Sequence, residues 1–301
     1  MARWLEKFVN YEMVDRYMNG ENLVHGFAVY AESLRPNESS RTVFKAMFME
    51  WPVEEDPQIG AIATLRFPLG PTDKAVSAMG GNTLKHLAIT GGDFLQPPPF
   101  DGRGIIHLPA DPIAPHLYVA PTMLRAGAQL IKRHPDGSKP TLMATYHGAI
   151  RGWSLPEDTP MTRPIPLLAP NTFIGPQIRG QGMAMQPAYF ELSDDNELLD
   201  VYAIDVVEGK LGYGKVPKDE LADIGYLQVH TTYKGLPMAI VGRAAEEGAF
   251  RAICLSHDAY AAQERGFNFV EAGVYETIIP GKELEGLPTY TLNTPPGWIK
   301  S

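Results

Sequence analysis

The stretch Ala128-Gln129-Leu130-Ile131-Lys132-Arg133-His134-Pro135-Asp136-Gly137-Ser138-Lys139-Pro140-Thr141-Leu142-Met143-Ala144-Thr145-Tyr146-His147 reads as a β-hairpin. Two strand-like runs flank Pro135-Asp136-Gly137-Ser138, and Asp-Gly supplies the positive φ values that a tight turn needs. The same pattern of short strands and tight turns continues toward the C-terminus. Residues 189–192, 198–207, 225–233, 237–243, 249–255 and 273–279 are strand candidates at short spacing, the pattern of a barrel or a sandwich. Two internal echoes support a repeated local plan. Thr145-Tyr146-His147-Gly148 matches Thr232-Tyr233-Lys234-Gly235, and Val216-Pro217-Lys218-Asp219-Glu220-Leu221 matches Ile279-Pro280-Gly281-Lys282-Glu283-Leu284. In the second pair, Pro opens a short helical turn after a strand.

Toward the N-terminus the pattern is mixed. Trp4, Phe8, Tyr11, Val14 and Met18 fall at steps of three or four, which predicts an amphipathic helix over 3–18 that stops at Asn19-Gly20. A strand is expected over 23–34 and a second helix over 39–48, ended by Trp51-Pro52. Residues 59–67 read as a strand, and 71–87 as helical at the start until Gly80-Gly81. An extended loop over 91–100 carries Pro97-Pro98-Pro99, a stiff connection. Residues 155–190 hold seven prolines (156, 160, 164, 166, 170, 176 and 187), so an ordered arm is expected there instead of a sheet core. The expected class is α+β: a mixed domain over 1–120, then a β-rich domain over 121–301 built of small SH3-like barrels or a sandwich, with the Pro-rich arm at 155–190.

Composition narrows the function. The chain has 301 residues, 44% of them hydrophobic and 20% charged, so it can bury a core. Its net charge is −9, which disfavours nucleic acid and anionic membrane surfaces as partners, because phosphates must be met by clustered Lys and Arg. Residues 1–120 carry 10 basic and 14 acidic groups and residues 121–301 carry 16 and 21, so the charge is evenly spread. The densest basic point is Lys132-Arg133-His134. A single cysteine, Cys254, excludes an internal disulfide framework and a Cys-based zinc site. The first residues show no apolar leader, and no run of 18 apolar residues occurs, so a cytoplasmic location is expected.

No complete catalytic motif is present. Gly209-Lys210-Leu211-Gly212-Tyr213-Gly214-Lys215 has the spacing of a phosphate-cradling loop. Val216 then stands where a Ser or Thr would hold magnesium, and Pro217 removes an amide at the expected helix start. His107, Asp111 and His116 form the one compact group with metal-ligand chemistry, with three prolines between them. Asp194-Asp195-Asn196-Glu197 and Glu54-Glu55-Asp56 read as solvated charged loops. No catalytic residue, metal or cofactor is assigned. The binding candidates are Tyr146, Arg151 and Trp153, just past the hairpin, since Tyr, Trp and Arg dominate protein interfaces; packing of the two rings in the core is the competing reading.

Two stretches carry a family resemblance. One runs from Thr90-Gly91-Gly92-Asp93-Phe94 through Phe100-Asp101-Gly102-Arg103-Gly104, Arg125-Ala126-Gly127-Ala128-Gln129-Leu130, Tyr146-His147-Gly148 and Arg151-Gly152-Trp153. The other is Gly273-Val274-Tyr275 with the turn from Pro280 to Leu284. Together they resemble poorly characterised actinobacterial immunity-type proteins of type VII secretion toxin cassettes. The matching residues are structural, so the resemblance transfers no functional residue. It implies a cytoplasmic, non-enzymatic protein that binds a toxin partner and neutralises it by occluding its active site. The alternatives are an enzyme of unrecognised type acting on a nucleotide such as NAD, and a structural phage or secretion-apparatus subunit.

Overall fold

Asn10 decides how the chain begins. Its side chain accepts a hydrogen bond from the Met13 amide at 2.7 Å, so a helix starts after it and not before. Trp4–Val9 is therefore strand β1, and Tyr11–Met18 is helix α1. This corrects the expected single helix over 3–18. Trp4 and Phe8 are four residues apart, a spacing that also places them on one face of a strand. A computed structural model of the chain describes residues 3–47, 60–70, 73–77, 116–149, 151–157, 171–182, 186–192, 198–204, 211–256, 258–271 and 274–293.

The elements that follow are β2 (Leu23–Tyr30), α2 (Ser40–Ala46), β3 (Ile62–Pro68), β4 (Ala75–Ser77), β5 (His116–Met123), β6 (Gln129–Arg133), β7 (Thr141–Tyr146) and β8 (Trp153–Ser154). The expected strands at 23–34 and 59–67 and the helix at 39–48 are present in shortened form. At 75–77 the chain is strand, not the expected helix, because it pairs with Leu117–Val119 of β5. The hairpin at 128–147 forms as read: β6 pairs with β7, Gly137 takes φ +69°, and the Asp136 carboxylate accepts from the Ser138 amide at 2.9 Å.

From the second half come β9 (Ile174–Gly180), β10 (Gln186–Leu192), β11 (Leu198–Ile204), β12 (Leu211–Pro217), β13 (Leu221–Tyr233), β14 (Leu236–Arg243), β15 (Ala249–Cys254), α3 (Ala259–Glu264), β16 (Asn268–Glu271), β17 (Val274–Pro280) and β18 (Glu285–Asn293). The two P-x-x-E-L echoes do the same local job. Each opens a 3-10 turn, Lys218–Glu220 and Gly281–Glu283, between two strands. The expected Pro-rich arm is corrected over 174–180 and 186–190, where Pro176 and Pro187 lie inside β9 and β10. Both stand where pairing on one edge is missing: β9 meets β10 only at Gln177 and Ile178, and β11 pairs with β10 only from Ala188 onward. A proline tolerates such a position because no ladder bond asks for its absent N–H.

The α+β expectation is overturned. The described strands form two antiparallel sheets of eight and ten strands, with three short α-helices among the described residues. The expected division at residue 120 falls inside β5, and β5–β8 complete the same sheet as β1–β3 instead of opening a set of small barrels. By contacts the chain divides into two compact units, residues 1–166 with 254–277, and residues 167–253 with 278–301. In the first unit the strand order is β4-β5-β2-β1-β3-β6-β7-β8. Its core holds Leu5, Tyr17, Leu65, Phe67, Val119, Leu130, Tyr146 and Trp153, while Val43 of α2 packs with Val29 and Ile62. In the second unit the order is β12-β11-β10-β9-β13-β14, with β18 also on β13. Ile178, Ala188, Val201, Leu221 and Ile224 pack together there.

Candidate functional site

The three binding candidates separate by burial. Tyr146 and Trp153 are register partners across β7 and β8, and their rings lie 5.1 Å apart inside the core. Trp153 also meets Tyr17 at 5.7 Å, and its indole N–H donates to the Glu21 carbonyl at 3.3 Å. Arg151 sits on the turn between the two strands with its side chain exposed. The structure thus joins the two rings to each other and presents only the guanidinium to solvent.

Charged chemistry is concentrated in places the sequence reading passed over. Glu6 of β1 is fully buried. Its carboxylate accepts from Thr64 at 2.7 Å and pairs with Arg66 at 2.9 Å and Arg133 at 2.8 Å. Arg133, part of the densest basic point in the sequence, is itself only 1% exposed. Next to Glu6, buried Lys7 donates to the His25 carbonyl and pairs with Glu271 of β16. Burial pushes the Glu271 carboxyl above its ordinary value, and the Lys7 ammonium opposes that shift. Gly26 makes room for this pair. Its φ is +90°, and a Cβ there would run into the Glu271 carboxylate and come within 2.6 Å of Val274. Closer to the surface, Arg16 of α1 bridges Glu21 at 3.2 Å and Glu276 at 3.4 Å, while His25 Nε2 lies 3.7 Å from Glu276.

Most polar atoms of these groups bond to one another, and Arg133 Nη1 is buried without a hydrogen-bond partner among the described residues. Glu21 additionally accepts from the Asn22 and Leu23 amides at 3.1 and 3.2 Å. The network ties residues 254–277 to β1, α1 and β2 of the same unit, assisted by the Asn10 amide group donating to the Val270 carbonyl. It acts as a set of staples within the unit. Glu6 and Lys7 gave no signal in sequence because their partners, Thr64, Arg66, Arg133 and Glu271, are far from them along the chain.

The remaining sequence candidates lie partly within and partly outside the described residues. Leu211–Pro217 is a regular strand paired with β11 along its whole length, so its amides do not converge as a phosphate cradle requires. Gly209 and Lys210 lie outside the described residues, as do His107, Asp111, the tri-proline and both acidic runs at 54–56 and 194–197; His116 is in β5. Cys254 is fully buried, its thiol donates to the Ser256 carbonyl, and burial pushes its pKa up to about 11, far from a nucleophile's range. Among the described residues no group of three or more His, Cys, Asp or Glu is arranged to hold a metal ion, and no helix is long and apolar enough to cross a membrane.

What the second unit does offer is strand edge. β13 takes β9 and then β14 along one side and β18 along the other. The series β18-β13-β9-β10-β11-β12 therefore ends in β18 and β12 among the described strands. Both end strands display large apolar side chains. Tyr290 and Leu292 of β18 are 66% and 39% exposed, two residues apart and so on one face, and Tyr213 of β12 is 62% exposed. β18 is held near both ends: the Tyr233 hydroxyl donates to Glu283 just before it at 3.0 Å, and Leu292 rests on Gly225 of β13. The signal for this site was the run Thr289-Tyr290-Thr291-Leu292, which alternates but lies close to the chain end and was not read as a strand. No family model matches the chain, and no curated protein or solved structure matches it either.

Proposed function

We propose that the protein is a non-enzymatic binding module that docks on another protein through the open edge of β18. The observation that carries this is a well-anchored end strand that exposes Tyr290 and Leu292 together on one face. An end strand has backbone donors and acceptors available for a further strand, and alternate side chains supply the selectivity. The partner that fits is an extended segment with apolar residues at alternate positions, on a protein of basic character. The net charge of −9 and exposed Glu285 beside the edge favour such a partner and speed its approach. Following the resemblance, the partner is a toxin, and the module acts as its cytoplasmic immunity protein by covering the toxin's active site. Support for an enzyme of nucleotides is weaker, since its motivating motif is a paired strand over 211–217.

Affinity capture from the native host with the wild-type chain and with Leu292→Lys in parallel tests the reading. A stoichiometric basic protein retained by the first and lost by the second is expected. Equal recovery on both, or no stoichiometric partner on either, removes β18 as the working surface.

A further inference from the structure

The other end of the same strand series carries a different feature. Tyr189 of β10, Tyr202 of β11 and Tyr213 of β12 are register partners in succession, so all three stand on one face of the sheet. The first two rings are stacked, 9° from parallel with centroids 6.4 Å apart. Burial falls along the row: Tyr189 is 4% exposed, Tyr202 half-buried and Tyr213 62% exposed. The row thus runs from the core to the end strand and stops at a ring that faces solvent. Flanking Tyr213 are Gly212 and Gly214, and at both a Cβ would meet nothing within 4 Å.

We infer that β12 pairs with β12 of a second copy of this chain. The row of tyrosines and the strand that ends it are self-complementary under a two-fold rotation. An antiparallel pairing centred on Tyr213 sets tyrosine against tyrosine and continues the row into the second copy, with cross-strand aromatic pairs as its unit of stabilisation. The same register sets Gly212 against Gly214 of the second copy, where neither side chain obstructs approach. It sets Lys215 against Leu211, so no like charges meet across the pair. The pairings of β9 with β13, β9 with β10, β10 with β11 and β11 with β12 are all antiparallel, the direction a two-fold-related strand supplies. Because the contact is isologous it closes at two copies and leaves both β18 edges at the far ends of the series. A seven-residue edge buries less than the roughly 1,600 Å² of a standard interface, so the pairing is reversible. Each copy carries −9, so added salt tightens the dimer by screening their repulsion. This inference stands independently of the β18 reading.

Sedimentation velocity of the full chain over a concentration series tests it. The expected result is a species of twice 33.1 kDa that grows with concentration and with salt. Gly214→Glu, which the open space at Gly214 accommodates, shifts the population to monomer while the far-UV spectrum, and the Tm at a dilution where both chains are monomeric, stay unchanged; Leu292→Lys leaves it dimeric. Tyr213→Cys tests the register without disturbing the charge: it forms a covalent dimer on mild oxidation, and Lys215→Cys does not. Cys254 is fully buried and stays out of that reaction. A chain that remains monomeric up to about 0.1 mM, the weak end of specific pairing, overturns the inference. So does a dimer that survives Gly214→Glu, or one that crosslinks equally through both cysteine variants.

Discussion

The two units differ in where their charge lies. The first unit hides charge: Glu6, Lys7, Arg133 and Glu271 are all buried, each against an opposite charge. Both units expose large apolar side chains, Tyr11, Tyr260 and Phe269 among them in the first; in the second, Tyr213, Tyr290 and Leu292 lie on the strands at the two ends of one series. A buried ion pair adds little net stability over an apolar pair, but removing one partner strands the other in a low-dielectric interior. An exposed ring on an end strand contributes little to folding and is available to a partner strand. The contrast therefore assigns substitutions in the first unit to stability and substitutions at the edges of the second to association.

The contrast can be broken most directly at Glu6. Glu6→Ala strips buried Arg133 of its counter-charge and should cost about 3–5 kcal/mol in denaturant unfolding, with Thr64 and Arg66 losing the same acceptor. A loss below about 1 kcal/mol would show that the charge is not buried in solution. Gly26→Ala comes next. Strain at φ +90° and collision with Glu271 and Val274 should together cost about 2–3 kcal/mol. Stability unchanged by this substitution would mean that the strand carrying Glu271 does not lie against β2.

A third test reads pH. Burial raises the Glu271 pKa above its unfolded value, so the native state binds the extra proton. Its contribution is present below the ordinary carboxylate value and is lost as pH rises through the raised one. Relative to Glu271→Gln, the wild type should therefore lose stability across that window on going toward neutrality; a difference that is flat or grows with pH refutes the assignment.

The second unit should answer more quietly. Tyr233→Phe removes one hydrogen bond to Glu283 and should cost about 1 kcal/mol, measured by the same unfolding. Tyr290→Lys should move stability by no more than about 0.5 kcal/mol while abolishing capture of the partner. A large loss of stability there would place Tyr290 among the packed residues and end its role as an offered side chain.

Much of the local structure was legible because its causes are local. Asp136-Gly137 requires a turn whatever surrounds it, and the P-x-x-E-L echoes produced matching 3-10 turns at 218–220 and 281–283. The helix at 3–18 was misread for an equally local reason: a four-residue spacing fits both periods, and only the cap at Asn10 separates them. Pro176 and Pro187 were read as excluding strand because sequence does not say which edge of a strand is paired. Tyr146 and Trp153 looked like interface residues by type, and their burial follows from lying opposite each other over a closed core.

From the sequence by itself came the β-rich C-terminal half, the turns, the even acidic charge and the lack of a contiguous catalytic motif. These depend on residues within a few positions of each other, where periodicity and turn chemistry operate. The tertiary structure alone decided which charges are buried together and which strands end the series. Arg133 meets Glu6 across 127 positions, and Lys7 meets Glu271 across 264. Such pairings are set by strand order, and no local pattern in the chain records which strand will become a neighbour and which will be left at the edge.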